Sequence, residues 1–448
     1  RMARIRPLTP ILFSAALQPG NPDISHLLAP PFDVFTQELR ERLLAREARN
    51  IVALDLPWMP PKAVGPDEVY RAAGHHFAQW LAQGTLTRLR QPVLLVYRQT
   101  YQVKDATHQR LGLFAAVQVQ PFGPSPDGKG GIWPHELTFR SGIEDRIRLM
   151  RQTRTQMSPV FSMYSDERGS ITDILHRVMA HHRPSYHGTT LHDNVLHEVW
   201  RVEDAHTLAA LTQALEGSDI YIADGHHRYT TAWTYRDELA AQQGGTLPED
   251  HPAHWVMMVL VARQDPGMLV LPTHRVLGGM THFDMARFGE YAKGKLQIKP
   301  FPGTDLAALE AALPTAGPHA LGLYNPAQPE SPLAVATTLE EDPLRATHAE
   351  QSAAWRTLDV AIVQHLLVEG ICQPHFCTGD AKVMWKYPSS LEDFARDCQG
   401  PGAQLGVMVQ PTPLQSVMDV SDAGGLMPQK STFFYPKLAT GLVINPVA

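Results

Sequence analysis

Along this chain the apolar positions change period repeatedly, between the spacing of a helix and that of a strand. "TQELRERLLAREARN" (36–50) and residues 67–83 carry apolar groups three and four apart and predict two amphipathic helices. "PVLLVYRQTYQV" (92–103) and "RLGLFAAVQVQPF" (110–122) flank the polar "KDATHQ" and predict a β-hairpin. Beyond it the two patterns alternate. Helices are expected at 141–153, 170–182 and 205–217, and extended chain at 159–165 and 197–204. A strand is expected at 219–224 and a helix over 226–241, with Gly225 in the turn between them. "HWVMMVLVAR" (254–263) and "GMLVLPTHRV" (267–276) predict a second hairpin, and helix–strand alternation resumes with "DVAIVQHLLVEG" and "AQLGVMVQ".

Hairpins mixed with helix–strand steps imply an α+β class with mixed sheets. A chain of 448 residues is too long for one ordinary core. We expect three parts: an N-terminal region at 1–90, a core at 91–290 and a C-terminal α/β region at 291–448. Composition narrows the function classes. Hydrophobic residues at 44% and charged ones at 19% are those of a soluble globular protein. A net charge of −6 argues against a broad nucleic-acid surface. No apolar run approaches the roughly 18 residues of a membrane span. The basic-then-apolar start is broken by Pro7 and Pro10, so a short strand is expected there rather than a leader. Cys372, Cys377 and Cys398 lack paired metal spacing, and the expectation is a reducing, cytoplasmic setting.

The candidate chemistry centres on "ADGHHRYTTA" (223–232). At a strand-to-helix junction the first helical N–H groups have no partner and the helix dipole favours an anion. Gly225 allows close backbone approach, His226 and His227 follow, and Arg228 offers a donor fork for phosphate oxygens. Arg228 is expected to serve a ligand and not the core. Asp224 reads as a helix cap or a general base. Adjacent histidines on a helix point about 100° apart, so joint metal chelation by His226 and His227 is disfavoured.

Four further stretches bear on the site. His135 and Glu136 follow the glycine-rich "PDGKGGIWP" and can form a base with its orienting partner, while Glu136 paired with Arg146 on the surface explains them equally well. His274 and Arg275 end an apolar run. "GGLMPQKST" matches the phosphate-binding loop at Gly424, Lys430 and Ser431, but Gln429 stands where a glycine is required. Lys430, Ser431 and Thr432 remain ordinary phosphate donors. In "LAPPFDVF" the prolines read as a structural turn and Asp33 is undecided.

"LAPPFDVF", "PHELTF", "ADGHHRYTTA", "LPTHR" and "MPQKSTFFYPKLATGL", in that order, resemble domain-of-unknown-function family 1015 over nearly the whole chain, with Phe32 where that family commonly has tyrosine. "DGHHRYTTA" also resembles the G-x-H-R-x-x-A element of the ParB–sulfiredoxin superfamily at Gly225, His227, Arg228 and Ala232. That resemblance implies a ParB/sulfiredoxin-like core with nucleotide phosphates held at the helix start. His226 stands where sulfiredoxin has its cysteine, which removes sulfinic-acid repair. The remaining implied activity is phosphoryl transfer to or from a small hydroxyl metabolite, free serine first, with Mg²⁺ and ATP or ADP. Asp224, Glu136 and His226 are the catalytic candidates. Gly225, His227, Arg228, His135, His274, Arg275, Lys430, Ser431 and Thr432 are the phosphate or nucleotide contacts. A small-molecule phosphatase and a nucleotide-binding switch without turnover are the alternatives. The partner expected is a small phosphate-bearing ligand, with no nucleic acid and no membrane.

Overall fold

In the computed structural model, which describes residues 4–125 and 130–448, the expected first hairpin forms with a tighter turn than its sequence implied. Leu94–Val103 and Ala106–Gln118 pair antiparallel with Val103 opposite Ala106, so the strand takes in residues read as loop. This long ribbon lies inside a ten-stranded mixed sheet. Trp255–Ala262 runs antiparallel to Ala106–Gln118 on one side and parallel to Val160–Tyr164 on the other. Ile220–Asp224 then lies antiparallel to Val160–Tyr164. All eight residues of Trp255–Ala262 are buried, as a strand covered on both faces requires.

Contacts divide the chain into two compact units, Arg1–Leu269 with Pro436–Ala448, and Val270–Tyr435. The expected second hairpin does not form. Trp255–Ala262 belongs to the large sheet of the first unit, whereas Arg275–Gly278 pairs with Ala403–Met408 and Met384–Lys386 in the six-stranded sheet of the second. Two adjacent apolar runs satisfy the hairpin pattern equally well whether they pair with each other or with distant strands. The helix expected at 359–370 is mainly a π-helix, Ile362–Cys372. Part of the glycine-rich stretch before His135, residues 126–129, lies outside the described residues. Helices and mixed sheets together give the α+β class.

Inside the first unit a buried charge network joins three helices. Arg146, on the Arg140–Thr153 helix, donates to the carbonyl and Oδ1 of Asp55 at 2.6 and 3.2 Å and to Asp145 Oδ2 at 2.8 Å. Tyr70, from the Asp67–Ala82 helix, donates to Asp145 Oδ1 at 2.8 Å, and Ser158 to Asp55 Oδ2 at 3.0 Å. Phe32 lies 4.1 Å beneath the guanidinium, which is 6% exposed as a residue. Burial raises the Asp55 carboxyl above its ordinary range, and Arg146 opposes that shift. Burial also lifts the Tyr70 hydroxyl to about 12.

Removing one member of such a network strands the others. Arg146→Ala is expected to lower the stability of the first unit by about 3–5 kcal/mol. Tyr70→Phe removes the hydrogen bond to Asp145 and the one accepted from the Gly65 N–H at 2.9 Å, and is expected to cost about 1.5–3 kcal/mol. Urea unfolding followed by circular dichroism checks both values and their order.

Candidate functional site

The Ile220–Asp224 strand is apolar and β-branched because it is sandwiched between neighbours, and it ends where Gly225 takes φ +99°. A Cβ at Gly225 would fall 2.9 Å from Arg228 Nε, so only glycine fits this turn. The His226–Gln242 helix starts immediately afterwards. Among the described residues no side chain caps it, and Asp224 is occupied differently from the expectation. Its Oδ2 accepts from Arg228 Nη2 at 3.0 Å and lies 3.4 Å from Lys437 Nζ.

Arg228 also departs from its expected role. Its side chain is 9% exposed, and Nη1 donates to the Pro159 carbonyl just before the Val160–Tyr164 strand. The group expected to wait for a ligand is therefore a tie between two strands and a helix. Beside it lies a cavity of about 40 Å³ lined by Asp55, Arg146, Ser158, Arg228 and Thr231, with the buried Thr231 hydroxyl lacking a hydrogen-bond partner among the described residues. That volume suits ordered water, not a metabolite.

Both histidines hold the 134–139 loop. His226 Nε2 accepts the backbone N–H of His135 at 3.2 Å, and His227 Nε2 accepts that of Phe139 at 3.1 Å. The His135 and His226 rings meet edge to face at 4.6 Å, as do Phe139 and His227 at 4.2 Å. An imidazole whose Nε2 accepts a hydrogen bond carries its proton on Nδ1. His226 and His227 are thus Nδ1–H tautomers. His135 has the same tautomer for a different reason: its Nδ1 donates to the Ile222 carbonyl at 2.9 Å. Burial pushes His135 down to about 4 and His226 well below its ordinary value, with the adjoining His135 adding to the latter.

His135, Glu136 and His226 bring their donor atoms within 4.8 Å of one another. A metal ligand needs a free lone pair, and the lone pair of His226 is taken by the His135 N–H. A hard cation such as Mg²⁺ prefers oxygen and would draw on Glu136 and substrate phosphates instead.

Asp33, undecided from sequence, belongs to this region. Its Oδ2 is 3.6 Å from Lys62 Nζ, and its Oδ1 is buried with no hydrogen-bond partner among the described residues. Lys62 in turn sits 5.9 Å from the ring of Phe139, which packs on His227. Sequence reasoning missed Lys62, a single lysine in a loop with no periodic or motif signal, and gave no role to Lys437 although it lies within "MPQKSTFFYPKLATGL".

The expected site residues divide between the two units. In the second, Arg275 is 2% exposed, donates to the carbonyls of Thr273 and, at 3.0 Å, Lys430, and lies 5.0 Å over the Tyr387 ring. Ser431 donates to the Pro428 carbonyl, and Thr412 donates to that of Ser431 at 2.8 Å. Arg275 and Ser431, expected as phosphate donors, bond to main-chain carbonyls of the 428–431 turn. Lys430 itself is exposed at φ +58°, and Thr432 is half-buried. His274 accepts from the Val409 N–H at 3.2 Å, and burial, then Arg275, pushes it down to about 4.

A family model described as "Protein of unknown function (DUF1015)" matches residues 5–361. No curated protein matches the chain. Among solved structures it is similar to a free serine kinase in complex with AMP, at 14% identity, covering 68% of this chain and 83% of that one with a TM-score of 0.30. A conserved hypothetical protein from Pyrococcus furiosus matches at 15% identity over 68% and 88% of the two chains, TM-score 0.30. C-terminally truncated SbnI from Staphylococcus aureus matches at 9% identity over 73% and 85%, TM-score 0.33.

Two outcomes follow from the geometry. Arg228→Ala leaves the Pro159 carbonyl and Asp224 short of a partner, so unfolding in urea should show a loss of about 3–5 kcal/mol and not a purely ligand-binding defect. The second concerns pH. An unfolded imidazole titrates near 6.5 and that of folded His135 near 4, so between them the unfolded chain binds more protons. The stabilisation is complete above pH 6.5 and is lost as pH falls toward 4, on the order of 3 kcal/mol. Urea midpoints measured from pH 7.5 to 4 should fall through that window, and less steeply in His135→Gln.

Proposed function

The chain belongs to the DUF1015 family of proteins of unknown function, and from the Gly225 turn we propose that it binds a phosphate-bearing small molecule, ATP or ADP among them, and moves a phosphoryl group to or from a small hydroxyl metabolite. Free serine is the first substrate to try. One observation carries this reading: a helix of seventeen residues with no side-chain cap starts at the end of a buried strand, with His226, His227 and Arg228 opening it and Lys437 Nζ 3.4 Å from Asp224 at the strand end. A helix N-terminus with its dipole, and cations close by, suit an anion.

Phosphoryl transfer asks a protein mainly for alignment and charge stabilisation. The backbone at 226–228 and the imidazole Nδ1–H groups would hold the phosphate oxygens. Glu136 is the proposed base, since Asp224 Oδ2 is already paired with Arg228 and Lys437. His226 is a poor nucleophile because its lone pair holds the loop, and that disfavours the phosphatase alternative. Mg²⁺ would supply charge neutralisation on the phosphates, with Glu136 the oxygen donor suited to it. The imidazoles of His135 and His226 are less suited to so hard an ion.

Serine with ATP, and phosphoserine with ADP, each with Mg²⁺ and followed by mass spectrometry, are expected to show transfer. Glu136→Gln should lower kcat by about 10²–10⁴-fold. It should leave nucleotide affinity, measured by calorimetry without Mg²⁺, nearly unchanged. Nucleotide binding with no phosphoryl movement across a broad panel of hydroxyl metabolites would leave the regulatory switch as the better account. Release of inorganic phosphate from a phosphomonoester without nucleotide would favour the phosphatase.

A further inference from the structure

The second unit carries a histidine pair that the phosphate site does not use. Ile362–Cys372 is a π-helix, a form that recurs at functional sites because its wider turn costs stability. Its buried side is apolar: Ile362, Val363, Leu367, Val368, Ile371 and Cys372. Gln364, His365 and Glu369 lie off that side. The Glu369 carboxylate is held at both ends, accepting from Gln364 Nε2 at 3.2 Å and from His365 Nδ1 at 2.8 Å. His365 therefore has its proton on Nδ1 and its lone pair on Nε2.

His348, from a separate loop, reaches the same state by another route. The Thr347 hydroxyl donates its one proton to the Leu344 carbonyl, so it accepts from His348 Nδ1 at 2.9 Å. His348 also keeps its lone pair on Nε2. The two rings are 4.5 Å apart. Trp355 packs against both, at 5.5 and 5.0 Å, and is itself pinned by its Nε1–H to the Leu426 carbonyl at 2.9 Å. Neighbouring imidazoles with Nδ1 protons committed and Nε2 lone pairs left over, one backed by a carboxylate, reproduce the way proteins orient histidines toward a metal.

We propose that His348 and His365 form a surface site for a borderline divalent transition ion, Zn²⁺ or Ni²⁺, with Glu369 as the positioning carboxylate and water completing the coordination. Imidazole nitrogen is the preferred donor for these ions, and the pair offers no oxygen cage suited to Mg²⁺ or Ca²⁺. This reading is independent of the phosphate site.

The test titrates the full chain with Zn²⁺ and with Ni²⁺ by calorimetry. The proposal expects binding that persists in His135→Ala, is lost in His348→Ala and in His365→Ala, and weakens by about 10–100-fold in Glu369→Gln. Binding unchanged by both alanine variants, or no binding of either ion, overturns it. Should a variant fail to fold, the unaltered protein still decides. Carbethoxylation read by mass spectrometry should be slowed by Zn²⁺ at His348 and His365 and unaffected at exposed His75. Equal rates with and without the ion at His348 and His365 would overturn the proposal.

Discussion

From the first turn of its helix Arg228 bonds to the end of the preceding strand and to the carbonyl before a neighbouring strand, and the architecture of the first unit's site follows from that tie. A guanidinium this deeply placed is tolerated only when its donors are matched, because an unmatched buried charge costs several kcal/mol. Asp224 supplies the counter-charge and the Pro159 carbonyl a second acceptor. The helix that follows starts at Gly225 with no side-chain cap. Gly225 is required because the side chain of Arg228 fills the space a Cβ would enter.

The 134–139 loop is the second part of that arrangement. Its backbone N–H groups, which a loop must satisfy somewhere, are taken by His226 and His227. The same bonds set the tautomers, and burial keeps His135 and His226 neutral, so loop position and donor pattern are one property. Protonating His226 would turn its acceptor nitrogen into a donor facing the His135 N–H. An acid-driven loss of stability and a loosened site are expected to go together for this reason.

Much of this was legible in the sequence and some was not, for identifiable reasons. The strand–glycine–helix step at 219–242 was readable because period, glycine and polarity all agree there. Asp33 and Lys62 were not readable as a pair, since they are 29 positions apart and only the fold brings their charges to 3.6 Å. The bonds of Arg228 to Asp224 and the Pro159 carbonyl were not readable, because an arginine fork suits a carboxylate and a carbonyl as well as it suits a phosphate. Arg275 shows the same ambiguity in the second unit, where it binds main-chain carbonyls of the 428–431 turn.

By itself the sequence determined the local elements and the α+β class, because hydrophobic period and turn residues act over a few positions. It also determined which residue types gather at the Gly225 turn and at "MPQKST". Only the tertiary structure decided which strand Trp255–Ala262 pairs with, how the chain divides into units, and that residues 362–372 widen into a π-helix. It alone decided the partners of every polar group named here. Hydrogen bonds and ion pairs are satisfied in space, so a residue's type states what it can bond, while its role depends on which neighbours the fold brings within about 3 Å.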